Sequence, residues 1–488
     1  MFSYRYAFKE NIMKEINFKS LIITLVVGVA IWFIPVPDGV KPNAWHLLAI
    51  FVATIVGIIS KAASMGTMAI IGITLCAGTQ VLAPGDPVKS IQNALSGFGN
   101  STIWLIGLAF FIARGFIKTG LGTRIAYSFI RIFGKSPLGL AYGLNTADLI
   151  LAPAIPSNTA RAGGVIFPIM KSIAVNMGSV PEKPETHRKI GAFLTLSSYN
   201  ANMITSVMFL TATASNPMAQ KFAKDLGVTI TWGSWAIAAL VPGLVCFLLV
   251  PLFLYKVFPP ELKETKEAPA IAAKQLKEMG PITIKEWLMV ATFIILLVLW
   301  IFGNLFAIDA TTGALIGLCI LLLCGVLTWE DVKSEKGAWD TIVWFSSLVM
   351  MGSFLNSLGF IGWFGHLVGG QMAHLSWQLA FPVIILVYSY CHYMFASATA
   401  QVAAMYSVFL AVGIAVGVPG TMLAIFLGAC ASLMGSLTHY GHGPAPIFFG
   451  STYVDLKDWW KQGFFMSVLF LLVWFLVGGV WWKVIGLW

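Results

Sequence analysis

Between Lys135 and Lys171 the chain carries one acid, Asp148, and one base, Arg161, and breaks an otherwise apolar stretch with Ser157-Asn158-Thr159-Ala160-Arg161-Ala162-Gly163-Gly164. The flanking apolar runs, Leu144 to Pro156 and Val165 to Met170, are each short of the roughly 20 residues that a membrane-crossing helix needs. Joined at a polar tip, they suit a hairpin that enters the membrane and leaves on the same side. Pro153 and Pro156 stop the first limb, and Gly163 and Gly164 loosen the start of the second. Non-helical backbone at that depth is tolerated only where protein or water surrounds it. Ser157, Asn158 and Thr159 are therefore expected to line a protected cavity. The same three residues also suit a plain helix cap in a loop, so the rest of the chain has to decide.

The rest of the chain favours a membrane. Of its 488 residues 58% are hydrophobic and 10% charged, against about 25% charged in soluble domains. The expected fold class is an all-α polytopic membrane protein with about 11 spans plus two re-entrant hairpins. Before the hairpin (about 136–175) the expected spans are about 18–36, 44–60, 65–83 and 101–118, and after it about 190–220 and 233–256. A charged connector, about 257–284, divides the chain. Beyond it come about 285–305, 310–327 and 340–365, a second interrupted stretch at about 376–414, and spans at about 419–450 and 463–484. The net charge of +10 raises the question of nucleic acid, but the lysines and arginines sit in short segments between apolar runs, where the positive-inside rule accounts for them. That rule puts the N-terminus, with Arg5, Lys9, Lys14 and Lys19, in the cytoplasm, the connector inside and Trp488 outside. No small-residue cleavage site follows the first apolar run, so it is expected to be an uncleaved span. The six cysteines all fall in apolar runs and read as small hydrophobes.

The two halves share an order of elements. Gly97 to Trp104 precedes the first hairpin as Gly337 to Trp344 precedes the second. Each half then gives a hairpin with a Ser/Thr tip and a span broken by a polar, proline-containing stretch: Thr211 to Pro217 in one half, Thr438 to Pro444 in the other. Threading the spans puts the halves in opposite orientations. Broken helices at corresponding positions of inverted repeats point to a transporter's binding site. The tips and breaks offer hydroxyls, the amides of Asn158 and Asn216, and free backbone groups. Helix N-termini suit a carboxylate or phosphate, and unwound carbonyls suit Na⁺. The ionisable residues expected at depth are Asp148, Arg161, His392, His439 and His442. Arg161 is either a functional cation or the partner of Asp148. His392 and His439 are either functional or hydrogen-bonded core histidines. His442 ranks lower, because Gly441 and Gly443 make its loop mobile.

This pattern resembles the divalent anion:sodium symporter family over about residues 17–486. Pro-Ser-Asn-Thr-Ala-Arg-Ala-Gly-Gly (156–164) and Phe-Ala-Ser-Ala-Thr-Ala (395–400) look like its bacterial citrate:succinate and plastid 2-oxoglutarate/malate exchanger branch. The resemblance implies a homodimer in the cell membrane, an elevator motion, C4/C5 dicarboxylate anions as substrates and no enzymatic activity. It implies a cytoplasmic segment 1–16, a scaffold of 17–135 and 285–370, and a moving transport domain of 136–256 and 371–488, joined by 257–284. Substrate contacts are expected at Ser157, Asn158, Thr159, Ser397, Ala398 and Thr399, with Asn216, Thr438 and Pro444 from the unwound segments. One departure matters. Sodium-coupled members carry Ser-Asn-Thr at both tips, and here Ala398 removes one amide. Arg161, His392 and His439 offer fixed cations instead, so sodium-independent antiport is expected, without cofactor, metal or nucleic acid. Sodium-coupled di/tricarboxylate symport is the alternative. An intramembrane hydrolase built on Ser436, His439 and His442 lacks G-x-S-x-G and H-E-x-x-H and any carboxylate near His439. A channel would not require substrate swapping.

Overall fold

The computed structural model describes residues 16–371 and 375–488; Arg5, Lys9 and Lys14 lie outside them. Backbone in hydrocarbon must pair its own N–H and C=O groups, and the apolar runs accordingly form helices. Among the described residues, eight helices are long and apolar enough to cross a membrane, and Phe18–Phe33, Met65–Gly78 and Ala310–Leu323 are shorter apolar ones. One of the eight, Ala398–Ala415, is a hairpin limb. Gly191–Met208 is not among them, because serines, threonines and asparagines fill it. With those two adjustments the helices fall on the eleven expected spans.

Both hairpins form. The first descends through Pro137–Leu151, turns at 152–157, and returns through Asn158–Arg161, a π-helical turn Ala162–Ile166, and Phe167–Asn176. The second runs through Trp377–Tyr390 and a short 3-10 turn Cys391–Met394, then returns through Ala398–Gln401, a π turn Val402–Tyr406, and Ser407–Ala415. The π turn sits at the same place in both, although only the first has glycines there. Gly163 and Gly164 are therefore not its cause; the repeat itself carries it.

The two broken spans are the core. Gly191–Met208 is buried along its whole length and packs on Trp232–Val257, on the first hairpin limb and on Gly420–Leu433 of the other half. Its break covers 209–214, and helix resumes at Ser215–Asp225. The second break covers 438–444, between the 3-10 turn Met434–Leu437 and Ala445–Phe449.

Two features depart from the expected map and two add to it. The ninth span ends at Ser357, and Gly359, at φ 92°, turns the chain into a separate helix, Phe360–Gln371. That positive φ suits glycine, which lacks a Cβ. The basic stretch after the fourth span is a helix, Leu121–Phe133, with Gly120 at φ 75° before it. The connector contains a helix, Glu267–Glu278, that packs on Leu121–Phe133. Cys319 and Cys324 face outward instead of into the core.

Among the described residues, two ion pairs join the parts of the chain before and after the connector. Arg124 Nε lies 2.5 Å from Glu286 Oε1, and Lys118 Nζ 2.5 Å from Asp331 Oδ2. Burial works against the charge on Asp331, but donors from Lys118 and Thr328 outweigh it and lower its pKa to about 2. Asp331 therefore stays ionised at neutral pH.

Close backbone approach fixes the last span against the second break. A Cβ built on Gly463 would stand 2.2 Å from Ser436 O, whereas one on Gly479, further along the same stretch, meets nothing within 4 Å. Gly463→Ala should therefore destabilise the protein by about 1–3 kcal/mol through overpacking, and Gly479→Ala should be near neutral. Thermal unfolding of the two purified variants in detergent measures the difference; equal melting temperatures would mean that this contact is not tight.

Candidate substrate site at the hairpin tips

Ser157 caps the second limb of the first hairpin, its Oγ accepting from Ala160 N at 3.1 Å. The cap reading and the buried-tip reading are thus both met, because the capped helix starts inside the protein. Asn158 is 4% exposed, and Ser157 and Thr159 are half-buried. Asn158 Oδ1 accepts from Thr159 N at 2.9 Å, which turns its Nδ2 towards His442 in the second break, 3.1 Å from Nδ1 and 3.2 Å from Nε2. The tip of one half therefore meets the break of the other. Gly443 permits the approach: a Cβ there would lie 2.1 Å from Thr159 Oγ1.

Arg161 is wholly buried, and every donor on its guanidinium is engaged. Nε donates to Asp148 Oδ1 at 3.1 Å; Nη1 donates to Ile155 O and Ala212 O, each at 2.7 Å; Nη2 donates to Ser206 Oγ at 3.0 Å and Thr205 Oγ1 at 3.5 Å. Asp148 also accepts from Asn202 Nδ2 at 3.0 and 3.2 Å and from the Thr205 hydroxyl. The arginine thus ties the tip to its own first limb through Asp148 and Ile155, and to the first break through Ala212. No N–H is left for a ligand. Its contribution there is charge and position.

The second hairpin does the same work with different residues. In register with Ser157, Asn158, Thr159 and Arg161 stand Ser397, Ala398, Thr399 and Gln401. Ser397 Oγ and Thr399 Oγ1 are 2.7 Å apart, and Ala398 is buried and offers no side-chain donor. Gln401 Nε2 donates to Tyr388 O at 2.7 Å, so its Oε1 faces His392 Nδ1 at 2.6 Å; His392 Nε2 reaches Gly441 O at 2.7 Å. His392 joins the second hairpin to its break as Arg161 joins the first.

The remaining expected residues divide. Asn216 stitches its own break, Nδ2 donating to Ser206 O at 2.7 Å and Phe209 O at 2.9 Å, and its Oδ1 has no partner. Thr438 Oγ1 is buried and also unpaired. Pro444 caps the short helix Ala445–Phe449. His439 is not brought to the tips: its Nδ1 accepts from Trp460 Nε1 at 3.2 Å, and its ring packs against Phe449 and Tyr440. Ser436 Oγ donates to Gly463 O at 3.5 Å, away from His439, so the hydrolase pair does not assemble. One residue at the tips was missed and one was ranked too low. Gln401 shows itself only when the tips are set in register, and His442 sits between the two glycines that led to its low ranking.

Residues 15–488 match the family model described as the sodium:sulfate symporter transmembrane region. The chain is 54% identical over 469 residues to a Bacillus subtilis (strain 168) protein named as a malate transporter, YflS, covering 96% of each. It is 47% identical over 477 residues to the spinach (Spinacia oleracea) chloroplastic dicarboxylate transporter 1, covering 97% of this chain and 82% of that protein. Among solved structures it is similar in fold to the Alcanivorax borkumensis YdaH transporter, with TM-score 0.57 at 14% identity, over 82% of this chain and 89% of that one.

Removing Arg161 alone should be costly. Asp148 is 1% exposed, and a carboxylate stripped of its buried partner destabilises by roughly 3–5 kcal/mol. Arg161→Ala should therefore lower the unfolding temperature of the purified protein markedly, and Asp148→Asn/Arg161→Gln should restore much of the loss because no buried charge is left unpaired. Equal destabilisation in the single and double variants would show that the backbone contacts of Arg161, not the ion pair, carry its effect.

Proposed function

The chain belongs to the sodium:sulfate symporter family of membrane transporters, the divalent anion:sodium symporters, and we propose that it exchanges C4/C5 dicarboxylates such as succinate, malate, fumarate and 2-oxoglutarate across the cell membrane, without a travelling sodium ion. Relatives named as malate and dicarboxylate transporters, aligned over nearly the whole chain, support the substrate class.

The observation that carries the exchange reading is the cation already built into the tips. Arg161 places a positive charge close to Asn158, and Asp148, bound to its Nε, balances it. In the second hairpin both ring nitrogens of His392 face oxygen acceptors, Gln401 Oε1 and Gly441 O, an arrangement that an imidazolium satisfies with two N–H donors. Ala398 meanwhile lacks the amide oxygen that would help to hold an ion. Charges fixed to the protein do not have to be carried, so the loaded tip needs only an anion of matching charge to return.

The site itself is assigned to Ser157, Asn158 and Thr159 with Ser397 and Thr399, and the neighbouring breaks contribute Thr438 and Asn216. In this reading the hairpins and broken spans move as one body against a dimeric scaffold, with the N-terminus and connector inside and Trp488 outside. The boundary would run where Ser215–Asp225 crosses Lys336–Ser357. There Asp225 binds Lys221 and accepts from Ser353 Oγ at 2.7 Å, and its carbonyl accepts from Asn356 Nδ2 at 2.5 Å. These contacts would hold one end of the stroke.

Uptake of labelled succinate into proteoliposomes tests the proposal. Uptake should need internal dicarboxylate and should persist when choline replaces Na⁺. Asn158→Ala should cut it by about an order of magnitude or more, the loss expected for a hydrogen bond to a charged group, while the protein still folds. Uptake into empty vesicles that depends steeply on a Na⁺ gradient would favour the symporter reading instead.

A further inference from the structure

We propose that His442 contacts the substrate: its Nε2–H and the Asn158 amide together form a paired donor for one carboxylate. The inference rests on the dicarboxylate-transport reading and adds to it a residue from the second break.

The hydrogen bonds around the ring set its tautomer. Gly443 N–H donates to His442 Nδ1 at 2.9 Å. Nδ1 is therefore the unprotonated acceptor, and the proton of the neutral ring lies on Nε2. The Asn158 amide is fixed as well, because Thr159 N–H donates to its Oδ1 at 2.9 Å. Its NH₂ then faces the ring, 3.2 Å from Nε2. Nδ2 is almost equally far from the two ring nitrogens, 3.1 and 3.2 Å, so it sits over the face of the ring and off the line of the Nε2–H bond, which is left without an acceptor. The Nδ1 lone pair is already taken by Gly443, so the amide gains little from the other nitrogen. Among the described residues the His442 ring has no further hydrogen-bond contact. The Nε2–H and the Asn158 amide thus lie side by side at the first tip, and no protein acceptor meets the Nε2–H.

Both are buried: His442 is 5% exposed and Asn158 4%. Buried donors without an acceptor carry a free-energy penalty that a charged acceptor removes most effectively. A carboxylate oxygen meets that need, being compact, anionic and able to accept from two donors. The surroundings add hydroxyls, Thr159 Oγ1 against Gly443 and the unpaired Thr438 Oγ1 near Gly441. The carboxylate nearby, Asp148, is bound by Arg161 and does not compete. Gly443 has a role in this arrangement: without a Cβ there the loop lies close enough to Thr159 for the imidazole to reach the neighbouring amide.

The test uses the full-length protein in proteoliposomes, with succinate:succinate exchange measured for wild type, His442→Phe and His442→Gln. Phenylalanine keeps a ring but no donor, and glutamine keeps an N–H donor. His442→Phe should raise the KM for succinate about tenfold or more with a smaller effect on maximal rate, and His442→Gln should recover most of the affinity. The thermal stabilisation of the detergent-purified protein by succinate, which does not require transport, should vanish in His442→Phe and return in His442→Gln. If His442→Phe does not fold, His442→Leu removes the donor in a smaller volume and gives the same comparison. A wild-type KM and a wild-type succinate shift in the donor-free variant would overturn the assignment. So would a fall in maximal rate alone, shared by the phenylalanine and glutamine variants, since that is the signature of a structural role. A wild type that exchanges no dicarboxylate would instead overturn the transport reading on which the inference rests.

Discussion

A helix that stops inside a membrane leaves unpaired amides at one end and unpaired carbonyls at the other, and hydrocarbon offers them no partners. This chain stops a helix at that depth in four places, two hairpin tips and two broken spans, and its polar core answers that demand. Arg161 serves two of the breaks at once, taking the carbonyl of Ile155 at its own tip and that of Ala212 in the broken span. Asp148 balances its charge, and Asn202 and Thr205 complete the carboxylate's partners. A chain without this cluster would have to unwind elsewhere or leave the breaks exposed to lipid.

The second half meets the same demand by a chemically different route. Gln401 holds the place of Arg161, and Tyr388 holds that of Asp148. Glutamine is too short to reach the break, so His392 bridges the distance to Gly441 O. The two halves are thus alike in backbone and unlike in charge. One hairpin is pinned by an ion pair, and the other by an amide and an imidazole.

Much of this was legible in the sequence, for physical reasons that can be named. Proline, glycine and hydroxyl residues inside apolar runs mark the tips and breaks because few other residues interrupt a helix in lipid, and the observed hairpins turn at 152–157 and 395–397 as those residues imply. The partnership of Asp148 with Arg161 was also foreseeable, since two opposite charges on facing limbs have no other means of burial. Side-chain direction was not foreseeable. His439 and His442 are three residues apart in one loop, and only the packing of Trp460 and Phe449 on one side, and of Asn158 on the other, separates an aromatic filler from a group at the tip. The segment after the fourth span was counted only for the side its charges face, and its amphipathic spacing makes it a helix, Leu121–Phe133.

The π turns at 162–166 and 402–406 bear on how a hairpin can be both rigid and responsive. Each inserts one extra residue into the ladder after a single turn of α-helix, so the four tip residues stand on a short pedestal whose hydrogen bonds are out of step with those of the limb below. Mechanically this is a compliant joint. A tip can rotate or settle around an anion by exchanging one hydrogen-bond register for its neighbour, and the long limb need not bend or drag on the helices packed against it. Both hairpins carry this backbone device at the same position, although the side chains that lock them differ.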